Sequence, residues 1–388
     1  MSSSSDLLTR AVAKLIPKDL AEKKIASGQK LRIYWGIDPT GNKIHLGHSV
    51  PMRKLQAFAD AGHEVILIIG SFTAMIGDPS DKASMRQPLT QEQVKQNFES
   101  YKEQASKIFD FKKIQVRYNH EWLEKLRFAD VVRLGSNFTV QQMLQRDMFE
   151  KRMEEKKPIG VHEFLYPLMV GYDSVVLDVD CELGGTDQEF NMLAGRHLQQ
   201  AMGKRDKFVM TVKMIEGTDG KIMSKTSLNC IYLTDEPKDM YGKLMAMRDD
   251  LITSYMECVT DIPMDEIKRV EKEIKGGQNP RDFKKFLAYE VVRMYHGEKE
   301  AKNAEEEFTR IFSQKGTPDD MPEIRAKKGE SLIDLLVRAK MVTSKSDARR
   351  LIEQKGIHLN ERIIESIEAK AEEGIVKIGK RKFLKIVP

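Results

Sequence analysis

Apolar residues at Leu7, Leu8, Ala11, Val12 and Leu15 recur at helical spacing and predict a helix over residues 7–27. A run of β-formers follows, Leu31-Arg32-Ile33-Tyr34-Trp35-Gly36-Ile37, and breaks at the turn-like Asp38-Pro39-Thr40-Gly41. Helical spacing resumes from His48 to Ala61, with Gly62 placed to stop it. Val65-Ile66-Leu67-Ile68-Ile69-Gly70 is continuously apolar, as a strand buried on both faces would be. Strand, helix and strand in that order make a βαβ unit and hence a parallel sheet. Two more strands are predicted, at 174–179 and 208–212, while 90–165 reads as mostly helical.

The fold class that follows is α/β: a doubly wound, Rossmann-like parallel-sheet domain over 1–235, with a helical insertion at about 95–165. An α-helical domain is expected over 236–314. Residues 315–330 hold Gly316, Pro318, Pro322 and Gly329 among charges and read as a linker, and 331–388 form a small basic α+β module. A chain of 388 residues is too long for one core, in keeping with this division.

Composition narrows the class. With 40% hydrophobic and 32% charged residues the chain is globular rather than disordered. A net charge of +5 is compatible with a nucleic-acid partner without demanding one. Cys181, Cys230 and Cys258 are too scattered for a disulfide framework or a structural zinc site, and no metal site is expected. The opening Met1-Ser2-Ser3-Ser4-Ser5-Asp6 lacks the basic and apolar regions of a signal peptide, and no apolar run suits a bilayer, so a cytoplasmic location with no membrane partner is expected.

Candidate chemistry concentrates in Asp38-Pro39-Thr40-Gly41-Asn42-Lys43-Ile44-His45-Leu46-Gly47-His48. Ligands of an open parallel sheet bind beyond the carboxyl ends of strands, and this loop runs from such an end into a helix N-terminus, where N–H groups and the helix dipole favour anions. His45 and His48 stand three apart and share a helical face, and Gly47 between them offers bare backbone to a flat base. Gly36 and Gly41 have the spacing of a Walker loop, but Asn42 stands where that motif needs lysine. Far downstream, Gly217-Thr218-Asp219-Gly220 is a turn followed by cations and hydroxyls, a composition suited to closing over a departing anion.

Together these two segments carry a resemblance. His45-Leu46-Gly47-His48 resembles the HIGH motif of class I aminoacyl-tRNA synthetases, and Lys221-Ile222-Met223-Ser224-Lys225-Thr226 resembles their KMSKS loop, with Ile222 where the family has its first lysine and Lys221 one place early. Four further segments are similar to the bacterial tyrosyl-tRNA synthetases: Tyr34 to Thr40, Thr73 to Ser80, Tyr166 to Asp173, and Gly184 to Asn191. The resemblance implies tyrosine activation by ATP to tyrosyl-adenylate and diphosphate, then transfer to the 3′ end of the tyrosine tRNA. Tyr34 and Asp173 would hydrogen-bond the substrate phenol. A site built for a hydroxyl rejects the analogue lacking it, a rule for which the tyrosine enzymes are themselves the standing example. Asp78, Tyr166 and Gln188 would take the ammonium group. Gly36, Asp38, Gly47 and Asp187 would hold the adenylate, while Thr40, His45, His48, Lys221, Lys225 and Thr226 would grip the phosphates, with Mg2+ carried on ATP. Val170 stands where many relatives have glutamine and cannot accept a hydrogen bond.

The last module resembles an S4-like RNA-binding domain, carried by Thr343 to Ile352 and Gly356 to Asn360. Ser344 or Ser346 can cap a helix bearing Lys345, Arg349 and Arg350, and Lys380, Arg381 and Lys382 add a second basic cluster on a late hairpin. The resemblance also implies a homodimer through the inserted helical region. Two other readings share many of these features: a tryptophanyl-tRNA synthetase-like enzyme and a non-catalytic RNA-binding relative.

Overall fold

In the computed structural model, residues 4–39, 41–78, 90–223, 229–313, 321–327, 329–360, 362–379 and 382–387 are described. The expected helix over 7–27 is replaced by helix α1 (Ser4–Thr9), strand β1 (Val12–Ile16) and helix α2 (Lys18–Ala26). Pro17 explains the correction. It has no N–H to donate, which disfavours a helix running through it, and it serves as the N-cap of α2 with φ −73°. The residues before it are then free to pair antiparallel with Phe208–Val212.

The chain divides into two units, Met1–Lys302 and Asn303–Pro388. In the first, β2 (Arg32–Ile37) leads to helix α3 (Leu46–Asp60) and back to β3 (Glu64–Ile69), the βαβ unit read from the apolar pattern. Gly62 follows α3 with φ +89°, a left-handed conformation that glycine adopts freely. Helix α4 (Gln91–Ala105) precedes β4 (Ile114–Tyr118), which pairs parallel with β3. The segment expected to be a helical insertion therefore contributes a sheet strand between its helices. Short helices α5 (His120–Leu123), α6 (Phe128–Gly135), α7 (Val140–Leu144) and α8 (Asp147–Glu154) come after it.

The expected strand at 174–179 is a second correction. Helix α9 runs from Val161 to Leu177, ending where Asp178 turns left-handed at φ +47°. Asp173, Ser174, Val175 and Leu177 are buried while Val176 is exposed, a helical rhythm that a short apolar window disguises. The strand begins later, as β5 (Cys181–Gly185), and is followed by helix α10 (Glu189–Ala201) and β6 (Phe208–Val212).

The sheet order is β1-β6-β5-β2-β3-β4. From β2 the chain winds outward through β3 and β4, then returns to lay β5 on the other side of β2. Direction reverses between β2 and β5, and in such sheets the ligand crevice opens at that reversal, beyond the carboxyl ends of the two strands. The first unit continues as helices α11 (Pro237–Ala246), α12 (Ile252–Val259), α13 (Met264–Lys275) and α14 (Pro280–His296); the division into units falls within α15 (Glu298–Ser313).

The second unit has its own sheet. Strand β7 (Glu323–Arg325), inside the segment expected as linker, pairs parallel with β11 (Lys382–Val387). Between them lie helices α16 (Leu332–Arg338) and α17 (Lys345–Glu353) and strands β8 (Ile357–Leu359), β9 (Arg362–Ile363) and β10 (Gly374–Ile378), in sheet order β7-β11-β10-β8-β9. Leu332, Leu335, Leu336, Ile352, Val376 and Leu384 belong to its core.

Candidate active site

A cleft opens at the reversal between β2 and β5. Tyr34, Gly36, Asp38, Tyr166, Asp173 and Gln188, all expected site residues, line it, together with Val170, Asn119, Glu182 and Asn191. Alternation along β2 turns Tyr34 toward α9, and helix α9 supplies Tyr166, Val170 and Asp173 from successive turns of one face.

Asp38 sits just beyond the carboxyl end of β2. Its Oδ1 accepts from Thr73 Oγ1 at 2.7 Å and its Oδ2 from the Tyr166 hydroxyl at 2.9 Å. Gly70, at the end of β3, is bare because the Asp38 carboxylate fills the place a Cβ would take. Asp173 is buried. Its Oδ1 accepts from Trp122 Nε1 at 2.7 Å and its Oδ2 from Asn119 Nδ2 at 3.3 Å. Burial pushes its carboxyl well above the usual range, against the pull of those two donors. The Tyr34 and Tyr166 phenols are likewise driven up by burial, with Glu182 and Asp173 adding to the first and Asp38 and Asp78 to the second.

Gln188 ties the far rim together. Its Nε2 donates to Asp78 Oδ2 at 2.7 Å and to Asp187 Oδ2 at 3.1 Å, and its Oε1 accepts from Asn191 Nδ2 at 2.8 Å. The two carboxylates thus converge beside the cleft. Arg146 is buried near Asp78 and stacks over Phe190 at 4.8 Å; burial lowers its pKa to about 10.

Beneath Tyr34 lies a buried polar cluster. The Tyr34 hydroxyl is 2.8 Å from Ser174 Oγ, which lies 2.7 Å from Lys207 Nζ and 3.1 Å from Glu182 Oε2; Lys207 and Glu182 form an ion pair. The lysine is fully buried, and burial lowers its pKa against the opposing pull of Glu182.

His45, Gly47 and His48 are not among the residues lining that cleft; they form the N-terminus of α3. His45 is the N-cap, its backbone N–H donates to His48 Nδ1 at 3.4 Å, and the two rings stack 3.7 Å apart. Gly47 is needed for this stack, because a Cβ there would stand 2.9 Å from the His45 ring.

The second motif is brought to the same place. Met223 stands 3.7 Å from where a Gly47 Cβ would be. Leu46 N–H donates to Ile231 C=O at 2.9 Å and Leu233 N–H to Ile44 C=O at 2.9 Å, so both described approaches to residues 224–228 adjoin the histidines. Lys221 is exposed on a turn that Asn229 Nδ2 holds through the carbonyls of Lys221 and Ile222 and through Asp219 Oδ1. Thr40, Lys225, Thr226, Lys380 and Arg381 lie outside the described residues.

In the second unit Ser344 caps α17 by accepting from Asp347 N–H at 3.1 Å. Lys345, Arg349 and Arg350 are exposed, Lys345 paired with Asp334 at 2.6 Å and Arg350 with Asp347 at 2.8 Å. Lys382, on β11, donates to Met341 C=O at 2.9 Å.

Asn119, Trp122, Thr73, Ser174, Glu182 and Lys207 escaped the sequence reading. Asn119 directly follows the carboxyl end of β4, so placing that strand would have pointed to it. Glu182 and Lys207 are charges inside or beside apolar strand runs, a pattern that hints at burial without naming the partner. Among the described residues no cluster of histidine, cysteine and carboxylate groups is arranged to hold a metal ion, and no helix is long and apolar enough to cross a membrane.

Residues 26–313 match the family model of class I tRNA synthetases (W and Y), and residues 313–386 match that of the tyrosine–tRNA ligase SYY-like C-terminal domain. The tyrosine–tRNA ligase of Thermotoga maritima is 47% identical over 385 residues, covering 98% of this chain and 96% of the relative. Tyrosine–tRNA ligase 2 of Vibrio vulnificus is 43% identical over 382 residues, covering 98% and 97%. Among solved structures, a C-terminally truncated mitochondrial tyrosyl-tRNA synthetase from Aspergillus nidulans superposes with a TM-score of 0.67 at 23% identity, over 80% of this chain and 95% of that one. The tyrosyl-tRNA synthetase from Archaeoglobus fulgidus complexed with L-tyrosine gives 0.62 at 20%, over 78% and 98%. At such identities these two likenesses concern the fold.

Proposed function

From the premise that this chain belongs to the class I tRNA synthetases (W and Y), we propose that it is a tyrosine–tRNA ligase that activates L-tyrosine with ATP and transfers it to the 3′ end of its tRNA. The observation that carries the proposal is the cleft at the β2–β5 reversal, where a phenol and a buried carboxyl, Tyr34 and Asp173, stand at one end and Asp38 at the carboxyl edge of β2. A ligand phenol placed between Tyr34 and Asp173 finds partners that phenylalanine would leave unpaired at a cost of about 1–3 kcal/mol each.

Asp78, Tyr166 and Gln188 are placed to receive the ammonium group, supported by the convergence of Asp78 and Asp187 on the Gln188 amide. Val170 puts an apolar wall in that part of the cleft, so recognition there falls to its neighbours. Gly36, Asp38, Gly47 and Asp187 take the adenosine side. The tyrosine carboxylate, ionised at neutral pH, attacks the α-phosphorus without a general base, and diphosphate leaves. Catalysis is positioning and charge stabilisation. His45 and His48 at the α3 N-terminus, with Thr40, Lys221, Lys225 and Thr226, hold the transferring and departing phosphates. Magnesium arrives on the nucleotide, where it neutralises phosphate charge.

The second unit binds tRNA through Lys345, Arg349, Arg350 and the Lys380–Lys382 cluster. A homodimer forms through the inserted helices, where Phe128 and Val161 are 85% and 79% exposed, apolar surface that a partner copy would cover. Three free, buried cysteines suit a reducing, cytoplasmic setting. Tyrosine-dependent exchange of labelled diphosphate into ATP tests the proposal. Robust exchange with tyrosine is expected; exchange driven by tryptophan, or none, would overturn it.

A further inference from the structure

Tyr34 is the only expected phenol ligand on β2, and its neighbour in the parallel register on β5 is Glu182. The pairing places a carboxylate beside a phenol, and Lys207, immediately before β6, neutralises it. Ser174 joins this pair to Tyr34 from α9, one residue after Asp173. Gly195 on α10 closes the cluster: a Cβ there would lie 2.6 Å from Ser174 Oγ, 2.7 Å from Lys207 Nζ and 3.1 Å from Glu182 Oε2. The cluster thus occupies a space that a glycine leaves open.

Proton counting gives this cluster a direction. A lysine ammonium only donates, and an ionised carboxylate only accepts. Lys207 supplies Glu182 and also reaches Ser174 Oγ. The single Ser174 proton has two acceptors in reach, Glu182 at 3.1 Å and the nearer Tyr34 oxygen at 2.8 Å, which accepts it while Tyr34 gives its own proton elsewhere. At the other end, Trp122 and Asn119 both donate to Asp173 and hold it as an acceptor. A phenol bound between Tyr34 and Asp173 gives its one proton to the acceptor, so its oxygen needs a donor, and Tyr34 must be that donor. Tyr34, its proton given to the ligand, can then accept from Ser174, as Ser174 accepts from Lys207.

We propose that Lys207, Ser174 and Tyr34 form a one-way chain of hydrogen-bond donors that ends on the ligand phenol and Asp173, with Ser174 and Lys207 acting as positioning residues for the choice of tyrosine over phenylalanine. Buried hydrogen bonds in series polarise one another, so the chain makes Tyr34 a stronger and better oriented donor than an isolated phenol. The inference rests on the reading of this cleft as the tyrosine site. Glu182 compensates the lysine charge and competes with Tyr34 for the Ser174 proton.

The test is the ratio of kcat/KM for tyrosine over phenylalanine in diphosphate exchange, measured in a double-mutant cycle. Ser174→Ala is expected to lower the ratio about tenfold, the effect of one lost buried hydrogen bond. In a Tyr34→Phe background the same substitution should change it less than about twofold, because the chain is already cut. Ser174→Cys, which keeps the volume and a weak acceptor, should fall between wild type and Ser174→Ala and serves if the alanine variant does not fold. An unchanged ratio in these variants, or an equal loss in both backgrounds, overturns the proposal, since a purely structural role lowers both substrates together. A Tyr34→Phe variant that keeps full selectivity would sink the phenol-site reading itself, an outcome distinct from a normal Tyr34→Phe loss with no effect at Ser174.

Discussion

The Tyr166 hydroxyl donates to Asp38 Oδ2 at 2.9 Å, so one carboxylate joins helix α9 to the end of strand β2, the sides proposed for the amino acid and the nucleotide. Tyr166→Phe removes that donor and should raise KM for tyrosine and for ATP together, each about five- to tenfold, as expected for roughly 1 kcal/mol of lost hydrogen bonding. Initial rates of diphosphate exchange with each substrate varied in turn check this. A rise for tyrosine alone would mean that Asp38 does not couple the two sides.

At Gly47 the constraint is steric. A methyl group would stand 2.9 Å from the His45 ring and would displace it from His48. Gly47→Ala should therefore slow adenylate formation tenfold or more, by roughly 1.4 kcal/mol of barrier, while the KM for tyrosine moves little. Single-turnover rates separate the two effects. His48→Ala should share this signature.

The raised pKa of Asp173 sets a pH dependence. In the unfolded chain this carboxyl has its ordinary pKa, and burial raises it in the folded protein. The folded state therefore holds the proton more tightly. Its contribution to stability is fully present below the ordinary carboxylate range and declines as pH rises toward the folded pKa. On the proposed role of Asp173, selectivity runs the opposite way, because the ionised form accepts the phenol proton. The tyrosine-to-phenylalanine ratio should climb with pH across a range above ordinary carboxylates and become flat in Asp173→Asn. A ratio that falls with pH would show Asp173 acting as a donor.

In the inserted helices, Arg152 and Glu163 form a buried bidentate pair at 2.8 and 2.9 Å. Arg152→Ala leaves the carboxylate without its charge partner and should destabilise the first unit by about 3–5 kcal/mol. Denaturant unfolding measures the loss, and Arg152→Ala with Glu163→Leu should recover part of it.

For the second unit the expectation concerns salt. Lys345→Ala and Arg349→Ala should each weaken tRNA binding across sequences and lower the slope of log affinity against log salt by about one. Filter binding over a salt series reads it; an unchanged slope would remove these residues from the phosphate contacts.

Legibility in the sequence followed locality. The βαβ unit around β2, α3 and β3 was plain because its apolar runs are long and bounded by turn chemistry at Asp38 and Gly62. Residues 174–179 read as a strand because so short a window cannot reveal a period, and only the longer run back to Val161 shows the helix. Strand β4 hid among helices because it is short and half exposed at the sheet edge. Cleft-lining residues joined to motifs, such as Asp38 and Gln188, were legible. Trp122, Asn119 and Lys207 were not, since each matters through a partner 25 to 54 positions away that no local pattern reveals.

Gly195 carries an implication for how such chains diverge. Because its missing side chain makes room for three polar atoms at once, positions 195, 174, 182 and 207 form a set that cannot drift one at a time. A lineage that acquires alanine at 195 is expected to have exchanged the serine and the ion pair for apolar residues as well, and to have found another donor for its β2 tyrosine.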